Sequence, residues 1–270
     1  MKACFNTITA GRDKPLEEII DACGSVGFSG IEIDLNHLEA ASERLPVKAI
    51  KDRLAASNLE PAAIMAFDLA PLAEDEVALD RFKRGVEAAH AFGSPVLLVY
   101  CATNIPKGMS AEEAKEKAGR RAATYAELAN PIKVGLEPIG RTTLMGTPEA
   151  ALEIEKSAGA KNAGVVMDTF HFYKAGVTDI RPYPVQDFLM IHLNDAENLP
   201  VEQLKDANRL HLGLGILPLR SYLKTIKDKK YAGFLSIEIF RPEYWEQPVV
   251  RVVTDAKQSF DRILAEVGEV

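Results

Sequence analysis

Short apolar runs recur eight times along the chain, and between them lie longer stretches in which apolar positions return at helical spacing. The runs are KACFN from Lys2, GIEID from Gly30, EPAAIMAF from Glu60 and PVLLVYC from Pro95. They continue with IKVGLEPI from Ile132, AGVVMDTF from Ala163, FLMIHLND from Phe188 and GFLSIEIF from Gly233. Each is bounded by Gly, Pro or Asn and rich in Val, Ile, Leu or Phe, as parallel strands covered on both faces are. Helix signals fall in the gaps. Ser110 with Glu113 has the spacing of a capping box, predicting a helix to Ala129, and Thr147-Pro148-Glu149 is a cap followed by proline at the first helical position. The stretch from Phe170 to Phe188 is the weakest unit, with two prolines and little periodicity.

Eight strands alternating with helices predict an α/β fold, a (β/α)8 TIM barrel formed as a single domain over residues 1–270. An open doubly wound sheet is the competing topology. It would place a glycine-rich phosphate loop after the first strand, where CFNTITAGRDKP offers only Gly11. Gly213-x-Gly215 lacks the third glycine and the preceding strand of such a fingerprint, and reads as a turn before a helix at Pro218.

Four consecutive strands carry a polar residue in their second half, where an unpaired buried charge costs several kcal/mol. These are Glu137, Asp168, His192 and Glu238. Alternation places Gly135 with Glu137, and Ser236 with Glu238, on the face opposite the large aliphatic residues, as expected of the crowded barrel axis. The carboxyl ends of barrel strands are where such folds build active sites. Three carboxylates and an imidazole converging there would repel one another unless a divalent cation were bound; Mn²⁺, Zn²⁺, Mg²⁺ and Co²⁺ all suit oxygen-plus-nitrogen ligands. The competing reading neutralises each acid separately through Lys133, Arg141 or Arg241.

Other residues are weighed individually. His171 is expected at the rim of the site, and Glu32 could support it from the opposite wall. His211 reads as lining the mouth or lying in a surface loop. His37 reads as a loop histidine and His90 as a helix C-terminal charge. Tyr244 and Trp245 are expected to be exposed, at a dimer face or the substrate mouth. The 32 Lys and Arg against 39 Asp and Glu give a net charge of −7, which disfavours a phosphate-gripping nucleic-acid binder. Cys4, Cys23 and Cys101 have no metal-site spacing, and no run is long enough to span a membrane or open a secretory signal, so a cytoplasmic protein is expected.

With these residues in place, the chain resembles the xylose isomerase-like TIM barrel superfamily of sugar isomerases, epimerases and endonuclease IV. GFSGIEI, GLEPIG, VVMDTFH, IHLND and SIEIFRPEYW carry the likeness over nearly the whole length. Within it the match is closest to the inosose isomerase (2-keto-myo-inositol isomerase) family, through the CFN start, DTFHF, the stretch from IHLND through DANRL to GLG, and FRPEYW. The resemblance implies one divalent metal, Mn²⁺ or Zn²⁺ before Mg²⁺ or Co²⁺, held by Glu137, Asp168, His192 and Glu238. It further implies substrate contacts from His171 and Arg209; Glu137 and Glu238, approaching from opposite sides of the metal, are the candidate catalytic base and acid. The ketose 3-epimerases carry a further glutamate where this chain has Thr143, and related inosose isomerase sequences carry a histidine at Arg141.

The expected reaction is proton transfer between adjacent carbons of a keto-cyclitol or ketose through a cis-enediolate. Competing expectations are a ketose 3-epimerase, a hydroxypyruvate-type isomerase, a 3-keto-glycoside eliminase, an endonuclease IV-like repair enzyme and a non-catalytic sugar-binding barrel. A bound cation would cancel two of the cluster's three formal negative charges. The remaining acidity suits a substrate that is not phosphorylated, and a homo-oligomer is left open.

Overall fold

The computed structural model describes residues 1–74 and 76–268. Eight strands close into a barrel: β1 (Lys2–Asn6), β2 (Gly30–Asp34), β3 (Glu60–Asp68), β4 (Val96–Cys101), β5 (Lys133–Pro138), β6 (Ala163–Asp168), β7 (Met190–Leu193) and β8 (Phe234–Ile237). Every neighbour pairs in parallel and in chain order, and β8 returns to β1 with Cys4 opposite Ser236. The ring has no free edge, which excludes the open doubly wound sheet. The strand runs read from the sequence match within one or two residues, with two differences. The run from Phe188 pairs only from Met190, and β8 ends one residue before Glu238.

Alternation along each strand separates two apolar regions. Outward-facing Ile31, Ile33, Leu97, Val99, Val134, Leu136, Ile191, Leu193, Leu235 and Ile237 join the helices in one continuous core. A smaller cluster that includes Cys4, Leu98, Val166 and Met190 fills the barrel axis. Gly135 is part of this packing, since a Cβ there would stand 2.7 Å from Val166 Cγ2 and 3.0 Å from Leu98 Cδ2. The axis is therefore plugged below and polar above, which places the polar residues at the carboxyl end of the barrel.

Ser110 caps the helix Ala111–Ala129 by accepting from the Glu113 backbone N–H at 3.1 Å. The reciprocal half of the capping box is replaced by an ion pair, with Glu113 3.4 Å from Lys117 one turn on. Thr147 caps Pro148–Ala158 as its sequence predicts. The weak sixth unit has only the short helix Thr169–Lys174 and a 3-10 turn at Val185–Asp187.

A feature without a periodic signal covers the barrel mouth: Asp195–Ala196 pairs antiparallel with Arg209–Leu210. The buried Asp195 carboxylate accepts from the backbone N–H groups of Gly213, Gly215 and Leu217 at 2.9–3.0 Å. Gly215 is required at this approach, because a Cβ would lie 2.0 Å from the Ala196 carbonyl oxygen. This loop carries Arg209 over the site.

Candidate metal centre

Glu137 on β5, Asp168 at the end of β6, His192 on β7 and Glu238 just past β8 converge, with one ligand-capable atom from each lying within 4.8 Å of the others. All four are buried. The register explains the convergence, since Asp168 pairs with His192 and Ser236 with His192, while alternation aims each side chain at the axis.

His192 organises the cluster. Its Nδ1 lies 3.1 Å from Glu137 Oε1, 3.3 Å from Glu238 Oε2 and 3.9 Å from Asp168 Oδ2, while Nε2 lies 3.0 Å from Glu32 Oε1. Ser236 Oγ donates to the other oxygen of Glu32 at 2.6 Å. Glu32 thus sits beneath the imidazole, on the wall where the sequence had placed it. With the Nε2 proton directed to Glu32, Nδ1 presents a lone pair to three carboxylates, which is repulsive unless a proton or a cation lies between them. The four ligand-capable atoms lie within 4.8 Å of one another, close enough for one cation to be shared among them. The donor set fits a divalent cation, and the carboxylate–histidine arrangement below it is the usual outer-shell support.

Arg209 supplies the fixed positive charge. Its Nη1 donates to Asp168 Oδ2 at 2.7 Å and to Glu238 Oε2 at 2.9 Å, and Nη2 donates to Asp206 Oδ1 at 2.9 Å. The guanidinium lies over the rings of Phe170 and Phe240, and Nη2 is 3.1 Å from His171 Nε2. Lys133, Arg141 and Arg241 make no ion pair with the cluster, and Arg241 instead pairs with Glu197 at 2.7 Å. The separate neutralisation considered from sequence is not what the fold builds.

The electrostatic effects differ by residue. Burial pushes Glu137 up to about 7, with His192 opposing and Glu238 reinforcing the shift. Burial also opposes ionisation of Asp168, but Arg209, His171, His192 and the backbone N–H of His171 together hold it well below the usual carboxylate range. Burial lowers His171 to about 4 against the pull of Asp168. For His192, burial disfavours the charged ring and is outweighed by Glu238, Glu32 and Glu137, which raise it.

Above the cluster lies a cavity of about 290 Å³. Glu137, His171, His192, Asp206, Arg209 and Glu238 line its floor and one side; Met65, Leu98, Ile139 and Phe240 contribute apolar wall. Of the six residues singled out from sequence for catalysis, metal or substrate, Glu137, His171, His192, Arg209 and Glu238 line this cavity, and Asp168 lies buried behind Arg209 within the same cluster. Two asparagines were missed. Asn6 Nδ2 donates to Glu238 Oε1 at 3.0 Å, and Asn194 Nδ2 donates to Asp168 Oδ2 at 3.0 Å. Each lies two residues from a recognisable position, Cys4 or His192, so strand alternation was the available signal.

Three expectations change. His37 lies in the helix Leu35–Ser42 rather than a loop, buried between Thr7 Oγ1 at 3.0 Å and the Gly11 carbonyl at 2.8 Å. His211 neither lines the mouth nor lies on the surface: it is buried and stacked on Tyr244, centroids 4.3 Å apart. Tyr244 and Trp245 are half-buried rather than exposed. His90 is exposed in the last turn of Val77–Phe92, as expected. Among the described residues no helix is long and apolar enough to cross a membrane.

The inosose isomerase of Halalkalibacterium halodurans is 28% identical over 96% of this chain and 95% of its own. The 3-dehydroshikimate dehydratase of Pseudomonas aeruginosa is 23% identical over 90% of this chain and 39% of its own. Among solved structures, the IolI protein crystallised with a binding zinc atom superimposes with a TM-score of 0.91 at 23% identity, covering 98% of this chain and 99% of that one. The family model for the xylose isomerase-like TIM barrel matches residues 20–263. With the closed eight-strand ring and its polar carboxyl end, that match settles the family: the chain belongs to the xylose isomerase-like TIM barrels.

Proposed function

We propose that the protein is a divalent-metal-dependent isomerase of a keto-cyclitol or ketose, similar in reaction to inosose isomerase, that moves a proton between adjacent carbons through a cis-enediolate. The observation that carries this reading is the convergence of Glu137, Asp168, His192 and Glu238 within 4.8 Å, three of them lining a cavity with room for a six-carbon polyol. Full-length likeness to the inosose isomerase of Halalkalibacterium halodurans supports an isomerase. These four residues would hold the ion, Mn²⁺ or Zn²⁺ before Mg²⁺ or Co²⁺. When bound, it would supply Lewis-acid stabilisation of the negative charge that develops on the substrate oxygens.

The chain's own residues divide the remaining work. Glu137 has one oxygen engaged, Oε1 with His192, and Oε2 has no hydrogen-bond partner among the described residues, while burial pushes it up to about 7; it is the group equipped to take the proton. Both oxygens of Glu238 are occupied, by Asn6 and Arg209, so its exchange of a proton with substrate requires one of these contacts to open. Arg209 and His171 orient substrate hydroxyls from the opposite side. Asn6 and Asn194 hold the carboxylates in place.

The competing reactions are weighed on particular residues. Thr143, where the epimerases carry a second glutamate, is outside the cavity lining; its hydroxyl accepts from the Ile105 N–H and its own N–H donates to Asn104. That disfavours the 3-epimerase. Only His171 and His192 of the five histidines reach the cavity, too few for a three-metal repair nuclease. A dehydratase or eliminase uses the same α-proton abstraction and differs in what leaves afterwards.

The test is solvent deuterium incorporation with 2-keto-myo-inositol and the metal-loaded protein. The expected result is deuterium at the carbon beside the carbonyl together with a migrated ketone. Exchange with loss of water, or inversion without ketone migration, transfers the assignment to the dehydratase or epimerase; no exchange with any ketose or keto-cyclitol overturns it. Glu32 gives a second expectation. Glu32→Gln keeps the size but loses the charge beneath His192, and metal affinity is expected to fall about 10–100-fold. Chelator competition measures this, and an unchanged affinity removes Glu32 from the support of the site.

A further inference from the structure

Three polar side chains at the β1–β4 side of the cavity take no part in the metal cluster or the proton transfer. Asp34 ends β2 and is buried; its Oδ1 accepts from the Asn36 N–H at 2.7 Å, and Oδ2 has no hydrogen-bond partner among the described residues. Tyr100 on β4 is in register with Glu137, and its hydroxyl likewise has no partner there. Arg12 follows β1, with its guanidinium 5.8 Å from the Phe240 ring centroid and 5.7 Å from that of Trp245; it forms no ion pair among the described residues. All three line the cavity.

An unmatched oxygen on the buried Asp34 carboxylate is costly where water is excluded, while Arg12 is exposed and Tyr100 half-buried at the cavity's edge. No ion pair joins them among the described residues: the helix cap holds Asp34, and Arg12 lies 5.7–5.8 Å from the Trp245 and Phe240 rings. A carboxylate acceptor and a guanidinium donor lining one cavity match a pair of hydroxyls, each of which both donates and accepts. An anionic substituent would be welcomed by Arg12 and repelled by Asp34.

We propose that Asp34, Tyr100 and Arg12 form a hydroxyl-recognition wall on the β1–β4 side of the cavity, facing the β5–β8 strands that carry the metal-ligand candidates, which selects neutral polyhydroxylated substrates over carboxylated or phosphorylated ones. The inference rests on the isomerase reading for its substrate, and it adds the part of the chain that decides which hydroxy-ketone enters. Phe240 and the apolar wall would cover the C–H face of the ring while these three groups bind the hydroxyls on their side.

The experiment uses the metal-loaded full chain with 2-keto-myo-inositol and with 3-dehydroshikimate as the carboxylated probe. Asp34→Asn retains an acceptor for the helix cap, Tyr100→Phe removes only the hydroxyl, and Arg12→Gln keeps a donor without charge. For the keto-cyclitol, KM is expected to rise roughly ten- to a hundredfold in the two charge variants and roughly threefold in Tyr100→Phe, with kcat changing far less. A purely structural role would instead lower kcat and thermal stability together. The proposal is overturned if wild-type turnover is present and all three KM values are unchanged. It is also overturned if the wild type prefers 3-dehydroshikimate and Asp34→Asn tightens that binding further, because this wall is then a carboxylate site. Absence of exchange in the wild type with either probe strikes at the isomerase reading itself, which separates the two failures.

Discussion

Glu137→Gln is expected to lower turnover by at least ~10²–10⁴-fold while leaving the protein folded and able to take up metal. Glutamine matches glutamate in shape and retains a carbonyl oxygen, so the contact with His192 Nδ1 at 3.1 Å survives in part. What it loses is the ability to accept and return a proton at the oxygen that has no partner. Glu238→Gln is expected to fall as far in kcat, with a distinguishable second effect. Its carboxylate accepts from Arg209 at 2.9 Å and from Asn6 at 3.0 Å, so the amide also disturbs the anchoring of the guanidinium and should raise KM. Measuring metal content, kcat and KM on the same preparations tells these apart. Near-normal turnover in a metal-loaded Glu137→Gln protein would remove Glu137 from proton transfer. The α-carbon exchange rate sharpens the test: it must fall with kcat if Glu137 takes the proton, and must persist if Glu137 serves only the metal.

The arrangement behind this prediction was legible in sequence to an unequal degree. A parallel strand covered on both faces is an apolar run with sharp Gly or Pro ends, so β1, β2 and β6 start where their runs start. An ionisable residue within such a run violates the pattern, and Glu137, Asp168, His192 and Glu238 stand out for that reason. Alternation also gives direction, as Gly135 and Ser236 illustrate. Depth along the axis is a different matter. Glu32 and Asp34 point the same way from β2, yet one lies under His192 and the other faces the cavity, and only ring closure assigns those levels. Asparagines carry no charge to betray them, so Asn6 and Asn194 passed as strand-end residues. The Asp195–Leu210 ladder is held by three backbone N–H groups on one carboxylate, a contact across about twenty residues with no periodicity to expose it.

Arg209→Met is expected to cause the largest loss of stability of any single change at the site. The arginine is 1% exposed, and its ion-pair partners Asp168 and Glu238 are buried with it, whereas the side chain of Asp206 is 54% exposed. Methionine can replace the aliphatic stem, but Asp168 and Glu238 would then be left beside Glu137 without their fixed cation. Breaking a buried pair from one side costs about 3–5 kcal/mol, which in a chain of this size lowers Tm by roughly 6–20 °C. Pairing the change with a second substitution identifies the source of the loss. Asp168→Asn in the Arg209→Met background should recover much of it, because it removes a buried charge, while Asp206→Asn should recover little, because water already screens that carboxylate. Added divalent ion should stabilise Arg209→Met more than wild type, since Asp168 and Glu238 have then lost their fixed guanidinium. Equal shifts in both proteins, or a Tm within ~2 °C of wild type for Arg209→Met alone, would mean that the proton on His192 rather than the guanidinium balances these acids.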